Sequence, residues 1–208
     1  DPSILLRSTL IADTKLSDMG QGEAAALSGY AVDRRRYEFI AGRVCASRAM
    51  EAIGVPVLPV AIGDDRSPVW PDGIVGSISH SRTVAAAALA HRESGIRAIG
   101  LDVEEALPLE MQLIPEICVD DDLAQLASMT PSKQGLLAKA IFCAKEAAYK
   151  AQYPVSRKIL GFHALGVELD IESSRFRARF LEDVSPFAAG DLLDGQIWIS
   201  GGHFVALL

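Results

Sequence analysis

The sequence predicts a mixed α/β fold, because helical and strand patterns alternate in both halves of the chain. In the first half, a long helical pattern over 34–50 precedes apolar strand patterns over 74–81 and 84–90. In the second half, a strand pattern over 98–104 precedes a helical pattern over 133–151 and further strands. The chain has 208 residues, half of them hydrophobic. That is enough for one large domain or two small ones with a real core.

Composition excludes several classes of protein. The net charge of -7 opposes general nucleic-acid binding, so any anion site must come from a local cluster of Arg and Lys. The longest apolar run, 84–90, is too short to span a bilayer, and the first residues lack a secretory signal pattern. We therefore expect a cytoplasmic protein with reduced thiols, without zinc or disulfides. Its three cysteines lie far apart: Cys45, Cys118 and Cys143.

The first half begins with a short helical pattern over 21–29. The longer helix that follows is amphipathic and stops at Gly54. Residues 55–62 are interrupted by prolines and are predicted to form an edge strand. Turns are predicted at 63–68 and 70–73. Three arginines along the long helix form either a solvated face or part of an anion site: Arg36, Arg43 and Arg48.

The strand over 74–81 ends in a polar turn, and the next strand, 84–90, is apolar enough to be buried on both faces. Ser79, His80 and Ser81 can offer hydroxyls, backbone N–H groups and an imidazole to a phosphate. No Asp is placed by the sequence to orient His80, so a hydrolase triad has weak support. A structural role for this histidine is the alternative.

An acidic segment follows the strand over 98–104. Residues 102–122 include no Lys or Arg and hold two prolines, which predicts a loop-rich region. Helices are predicted over 123–129 and 133–151, with a break at 130–132. The remaining predicted strands are 162–171, 176–181, 195–198 and 203–208, the last two forming a hairpin around Gly201 and Gly202.

Asp102 and Glu104 lie two residues apart on a predicted strand, so their side chains share one face. Two carboxylates on one face repel each other unless a cation lies between them. Glu146, on the following helix, can add a third carboxylate. Three such ligands suit Mg²⁺, and Mn²⁺ takes the same oxygens. The alternative is a pair of surface acids on an edge strand.

The helical stretch 141–150 carries two lysines around Glu146. Lys150 is four residues from Glu146 and shares its face. Lys145 is next to Glu146, about 100° around the helix, and we expect it to project toward the same edge. A carboxylate with two ammonium groups suits a metal-bound phosphate. The alternative is a solvated helix with one Glu–Lys pair.

Three segments carry a family resemblance through their order and spacing. They are Trp70–His80 (WPDGIVGSISH), Ile99–Glu104 (IGLDVE) and Phe142–Lys150 (FCAKEAAYK). Together they resemble the 4′-phosphopantetheinyl transferases of the surfactin and enterobactin synthetase type rather than the small trimeric holo-acyl-carrier-protein synthases. The likeness covers about 30–170. A conservative departure is the pair of residues flanking Asp102.

The resemblance implies two similar subdomains related by a pseudo-twofold axis, 1–97 and 98–208, with the active site in the cleft between them. The first subdomain would hold the nucleotide phosphates of coenzyme A. The second would hold the metal and the helix that carries Lys145-Glu146-Ala147. A single chain with both halves is expected to act as a monomer.

The implied reaction moves the 4′-phosphopantetheine arm of coenzyme A to a serine of an apo acyl or peptidyl carrier protein in polyketide or nonribosomal peptide synthesis, releasing adenosine 3′,5′-bisphosphate. Asp102, Glu104 and Glu146 would hold the metal, and the catalytic residues would be Glu146, as base, and Lys150. The implied ligands of coenzyme A are Lys145, Lys150, His80, Ser79, Arg43, Arg48 and Arg66. The alternatives are a metal-dependent nucleotide phosphodiesterase and a non-catalytic carrier-binding module.

Overall fold

The computed structural model describes residues 2–18 and 33–208, so the helix predicted over 21–29 lies outside the described residues. The chain divides into two compact units, Asp1–Ile99 and Gly100–Leu208. The boundary predicted between residues 97 and 98 lies two residues before this division. The mixed α/β class is confirmed, and the predicted pseudo-twofold relation stays a prediction.

The first unit packs one long helix, α1, on a three-stranded antiparallel sheet of order β1-β5-β4. The helix and the two longer strands confirm the sequence prediction, whereas β1 was not predicted. Two short strands, β2 and β3, form a separate pair. The elements are β1 Leu5–Leu10, α1 Asp33–Ala52, β2 Ala61–Ile62, β3 Pro68–Val69, β4 Ile74–His80 and β5 Val84–His91.

The edge strand predicted over 55–62 is mostly wrong. Only Ala61 and Ile62 pair with another strand. Pro56 and Pro59 lack the backbone N–H that a strand ladder needs, so the segment before Ala61 forms no ladder.

Small residues let α1 lie close to its sheet. β5 is buried from Ala85 through Ala90, which confirms that it is covered on both faces. On the helix side, a Cβ added at Gly42 would lie 2.8 Å from Cγ2 of Ile78 in β4. This close packing fixes β4, whose last residue is His80.

The second unit has a five-stranded antiparallel sheet of order β6-β10-β9-β8-β7, with the long helix α4 packed across it. Strand β6 is therefore at one edge of this sheet. The elements are β6 Leu101–Glu105, α2 Ile114–Ile117, α3 Asp120–Leu126, α4 Pro131–Ser156, β7 Leu165–Asp170, β8 Arg175–Phe180, β9 Leu192–Ser200 and β10 His203–Leu207.

Several predicted bounds in this unit are shifted. Helix α3 lies three residues before its predicted position, because Asp122 accepts the backbone N–H of Val119 and so caps the helix start. Helix α4 begins two residues early and continues past Pro154 to Ser156. Strand β6 begins at Leu101 rather than at residue 98.

The start of β6 touches the middle of α4. A Cβ added at Gly100 would lie 1.9 Å from the carbonyl oxygen of Ala147, so only glycine permits this approach. The acids of β6 are thereby held against the helix face that carries Glu146 and Lys150. Among the described residues, no helix is both long and apolar enough to cross a membrane.

Candidate active site

Two acids of β6 each meet a lysine of α4. Lys150 Nζ lies 2.6 Å from Asp102 Oδ1, and Lys139 Nζ lies 3.0 Å from Glu104 Oε2. Because both acids reach the same helix, they share one face of the strand, as the two-residue alternation predicts. Lys139 was missed by the sequence interpretation. The sequence does contain a pattern that predicts it. Residues 139, 143, 146 and 150 are three or four positions apart, so their side chains lie on one face of the helix.

Glu146 lies between these lysines on α4. Burial raises the pKa of its carboxyl, Lys150 opposes that effect, and the charges of Asp102 and Glu104 add to it. Burial also raises the pKa of Glu104, with a further contribution from Asp102. The three carboxyl groups are therefore close enough to influence one another. A carboxyl with a raised pKa is a better proton acceptor than an exposed one.

Cys143 lies in the core beneath these acids. Its Sγ is 3.9 Å from the carbonyl oxygen of Phe204. Burial and then the charge of Asp102 raise the pKa of this thiol well above its ordinary value. The thiol therefore stays protonated and is a poor nucleophile. Burial likewise raises the pKa of the other two free cysteines, Cys45 and Cys118, to about 11.

The acids do not form a ready-made metal centre. Over 2–18 and 33–208, no group of three or more His, Cys, Asp or Glu side chains is arranged to hold a metal ion. Lys139 and Lys150 instead bridge to Glu104 and Asp102, and a cation would compete with these bridges. The residue types nevertheless fit a hard divalent ion, because Asp102 and Glu104 share one face of β6 and their charges reach Glu146 on α4.

Lys145 does not join this cluster. Its ammonium lies 2.6 Å from Asp122 Oδ2 and donates to the carbonyl oxygens of Ile117 at 2.7 Å and Phe162 at 3.0 Å. Both members of the ion pair are fully buried. Lys145 thus pairs with Asp122 and not with the acids of β6, and the expectation that it binds coenzyme A stays a prediction. A buried carboxylate and two carbonyls hold the ammonium, so its position does not support a contact with phosphate.

A cavity of about 240 Å³ lies beside Glu146. One wall belongs to α4 and the other to the segment 160–165 that leads into β7. Most of the lining is apolar, apart from the two charged residues and one tyrosine. The lining residues are Lys145, Glu146, Tyr149, Leu160, Gly161, Phe162 and Leu165.

In the first unit, the end of β4 presents alternating side chains. Ser79 is buried and His80 is exposed, with its Nδ1 3.2 Å from the carbonyl oxygen of Ser81. The Ser81 hydroxyl accepts the backbone N–H groups of Thr83 and Val84 and so fixes the turn. His80 is therefore the last residue of a strand whose following turn is held by these two hydrogen bonds.

The three arginines predicted to bind phosphate lie in different surroundings. Arg43 is buried, donates from Nε to the carbonyl oxygen of Val60 at 3.0 Å and packs 4.3 Å from the ring centre of Phe39. This contact gives Arg43 a structural role. Arg48 and Arg66 are exposed, and Arg66 has a φ of 67° in the loop before β3. That these residues act with the acids of the second unit stays a prediction.

Comparison with known proteins identifies the family. Residues 23–90 match the model of the 4′-phosphopantetheinyl transferase N-terminal domain, and residues 98–196 match that of the 4′-phosphopantetheinyl transferase superfamily. The matched ranges include the end of β4 and the whole of the acid cluster. The chain belongs to the 4′-phosphopantetheinyl transferase superfamily.

Individual relatives agree with this membership. The chain is 33% identical over 174 residues to 4′-phosphopantetheinyl transferase PptT of Mycobacterium tuberculosis, covering 84% of this chain and 73% of the relative. It is 33% identical over 186 residues to 4′-phosphopantetheinyl transferase Svp of Streptomyces mobaraensis, covering 88% and 75%. Enterobactin synthase component D of Salmonella typhimurium is 38% identical over 122 residues, which are 57% of this chain and 48% of that relative.

The resemblance seen in the sequence is thus confirmed at the level of the family. Members of this family transfer the phosphopantetheine group of coenzyme A to carrier proteins, so the chain is a transferase with coenzyme A as co-substrate. Neither the phosphodiesterase nor the non-catalytic binding module is supported by these matches.

Proposed function

We propose that this chain transfers the 4′-phosphopantetheine arm of coenzyme A to a serine of an apo carrier protein at the acid cluster between β6 and α4. The observation that carries the proposal is the pairing of Asp102 and Glu104 of β6 with lysines of α4, on the helix that also carries Glu146, inside the range that matches the transferase superfamily. The serine oxygen attacks the phosphorus that bears the pantetheine arm. Adenosine 3′,5′-bisphosphate then leaves with the electrons of the broken phosphoanhydride bond.

Glu146 is our choice for the general base. A serine hydroxyl is a weak nucleophile until a base accepts its proton. Burial and the neighbouring acids raise the pKa of Glu146, which makes it a better proton acceptor than an exposed carboxyl. The carboxyl lines the cavity next to α4, so a reacting oxygen placed there is within its reach.

Lys150 is assigned to the diphosphate. Its ammonium already holds Asp102, and it stands one helical turn from Glu146. A cation at this point neutralises the charge that develops on the leaving phosphate. Lys145 has no such role in this proposal, because Asp122 and two carbonyls hold its ammonium.

Asp102, Glu104 and Glu146 would hold Mg²⁺ or Mn²⁺. When bound, such an ion supplies charge neutralisation and orientation for the diphosphate oxygens. The carboxylate donor set supports this assignment. Lys139 and Lys150 then remain available to balance the negative charge of the acids and the substrate.

The cavity beside Glu146 suits the pantetheine arm, which is uncharged. Its apolar lining from Leu160, Phe162 and Leu165 can cover such a chain, and Tyr149 offers a hydroxyl. For the phosphates of the nucleotide, we retain Ser79, His80, Arg43, Arg48 and Arg66. The exposure of His80, Arg48 and Arg66 supports this assignment.

We further propose that the partners are acyl and peptidyl carrier proteins and that the chain works as a monomer in the cytoplasm. Both family models match within one chain, which supports a monomer. Three free, buried cysteines are consistent with a reducing compartment.

The function is tested by mass spectrometry of a carrier protein. The chain is incubated with coenzyme A and Mg²⁺, with and without a panel of apo carriers. A gain of one phosphopantetheine group on the carrier serine is the expected result. Release of adenosine 3′,5′-bisphosphate without any carrier would instead indicate hydrolysis and would contradict the proposal.

The base is tested with Glu146→Gln. Transfer should fall by about 10²–10⁴-fold, the contribution typical of a general base, while the protein stays folded. Glu168→Gln, which alters an exposed acid on β7, is the matched control and should keep full activity. Full activity in Glu146→Gln would refute the assignment of the base.

A further inference from the structure

The ion pair of Lys145 and Asp122 joins several segments of the second unit. Lys145 Nζ reaches Asp122 Oδ2, the last residue of α2 through the carbonyl of Ile117, and the loop before β7 through the carbonyl of Phe162. One ammonium from α4 therefore contacts three separate segments. Its bonds are 2.6 to 3.0 Å long, as expected for charge-assisted hydrogen bonds.

Asp122 extends this connection to β7. Its Oδ1 accepts the backbone N–H of Val167 at 2.7 Å, and its Oδ2 accepts that of Val119 at 2.9 Å. The carboxylate is therefore held by two amides as well as by the ammonium. With this number of partners, the buried pair is well satisfied and each member depends on the other.

The segments held by this pair form one wall of the cavity beside Glu146. Phe162, whose carbonyl accepts from Lys145, lies in the wall formed by 160–165. Its ring also lies 5.4 Å from that of Phe142 on α4. The opposite wall belongs to α4, where Glu146 is the next residue after Lys145. Lys145 thus links the two walls through its bond to the carbonyl oxygen of Phe162.

We propose that Lys145 is a positioning residue, which acts with Asp122 to hold the segment 160–165 at a fixed distance from Glu146 and so shapes the site for coenzyme A. This inference rests on the proposed transferase function. It replaces the direct phosphate contact expected from the sequence with an action through the cavity wall.

The test removes both charges together. Lys145→Met and Asp122→Asn alone each leave one buried charge without its partner, so both single variants should lower the melting temperature strongly. The double variant has no buried charge and should melt closer to the wild type than either single variant. It nevertheless lacks the ammonium that anchors the carbonyls of Ile117 and Phe162.

Two measurements on the folded double variant distinguish positioning from simple support of the fold. Calorimetry should show coenzyme A binding weakened by about tenfold or more, since small displacements in a site have large effects. In the transfer assay, the KM for coenzyme A should rise by a similar factor, while kcat and the KM for the carrier stay close to wild type. A folded double variant with wild-type affinity for coenzyme A would overturn the proposal.

A second variant guards against failure of the double variant to fold. Asp122→Glu keeps both charges and lengthens one side chain by a methylene, so it should fold and still weaken coenzyme A binding. Unchanged binding in this variant would also overturn the proposal. Wild-type protein that binds coenzyme A but transfers nothing would contradict the function and not this inference.

The matched control is the exposed ion pair formed by Asp121, which precedes Asp122 in the sequence, and Arg179. Arg179 Nη2 lies 2.6 Å from Asp121 Oδ2, the same distance as in the buried pair, but the two side chains are 48% and 70% exposed. Arg179→Met combined with Asp121→Asn should leave melting temperature and coenzyme A binding unchanged.

Discussion

Helix α4 makes two ion pairs of equal length in very different surroundings. Lys150 to Asp102 and Lys145 to Asp122 are both 2.6 Å long. In the first pair the side chains are 27% and 4% exposed, and in the second they are 1% and 0% exposed. The first pair is therefore accessible at its lysine, whereas both side chains of the second pair are buried.

The difference lies in the groups that surround each ammonium. Carbonyl oxygens of the backbone complete the bonds of Lys145. Lys150 is surrounded by charge: burial lowers its pKa, but the carboxylates of Asp102 and Glu146 outweigh that effect and the pKa is raised. One lysine is thus held by backbone carbonyls and a buried acid, and the other by carboxylates at a partly exposed position, although both belong to one nine-residue motif.

The largest effect is expected from adding a side chain where β6 and α4 are in close contact. Gly100→Ala places a Cβ 1.9 Å from the carbonyl of Ala147, so strand and helix must separate. We expect a loss of about 3 kcal/mol in the free energy of unfolding, together with most of the activity. Hydrogen exchange should quicken more in β6 than at the Val167 amide, which is bonded to Asp122.

The control for this variant is Gly166→Ala in β7. A Cβ there has its nearest neighbours at an ordinary 3.7 Å, so stability and activity should be close to wild type. If Gly100→Ala melts like this control and keeps its activity, the close contact of β6 with α4 does not define the site.

The second effect concerns the accessible lysine itself. Lys150→Gln keeps a hydrogen-bond donor near Asp102 but removes the positive charge. We expect kcat to fall about 10²-fold, and the melting temperature to fall as well, because the buried Asp102 carboxylate loses its charged partner. Lys139→Gln, on the same helix face, is the comparison and should lose less activity. Equal losses in the two variants would show that only the total charge matters.

The smallest effect is a pH-dependent response to magnesium. The folded protein raises the pKa values of Glu104 and Glu146 and so favours their protonated forms. These two groups therefore stabilise the fold at pH values below the ordinary pKa of Glu. That stabilisation is lost as the pH rises through their raised pKa values. A divalent ion binds the ionised forms and offsets that loss. Melting curves should therefore show a gain of about 3 °C with Mg²⁺ at pH 7.5 and little gain at pH 5.

The variant that sharpens this experiment combines Glu104→Gln with Glu146→Gln. Without metal it should be at least as stable as wild type at pH 7.5, because two costly charges are absent. It should also show no gain with Mg²⁺. A wild-type gain that is the same at both pH values would exclude these carboxyl groups as the metal ligands.

Much of this arrangement was accessible from the sequence. Periodicity predicted α1, α4 and most strands, and the order of three short motifs identified the family. The same motifs contain Asp102, Glu104, Glu146 and Lys150, whose roles stay predictions. These features are local or depend on spacing along one element. The direction of Lys145 was not accessible, because it depends on Asp122, which lies 23 residues earlier and meets α4 only after folding. The segment 55–60 was wrongly predicted as a strand for a local reason. It is apolar, but its prolines lack the backbone N–H groups that strand pairing needs.

The buried cysteines have a practical consequence. All three thiols are shielded and have raised pKa values, so they should react slowly with maleimides and mild oxidants. A single cysteine introduced at an exposed position, such as Leu107, which follows the acids of β6, can then be labelled selectively. A fluorophore can then be attached there without any need to remove native sulfur.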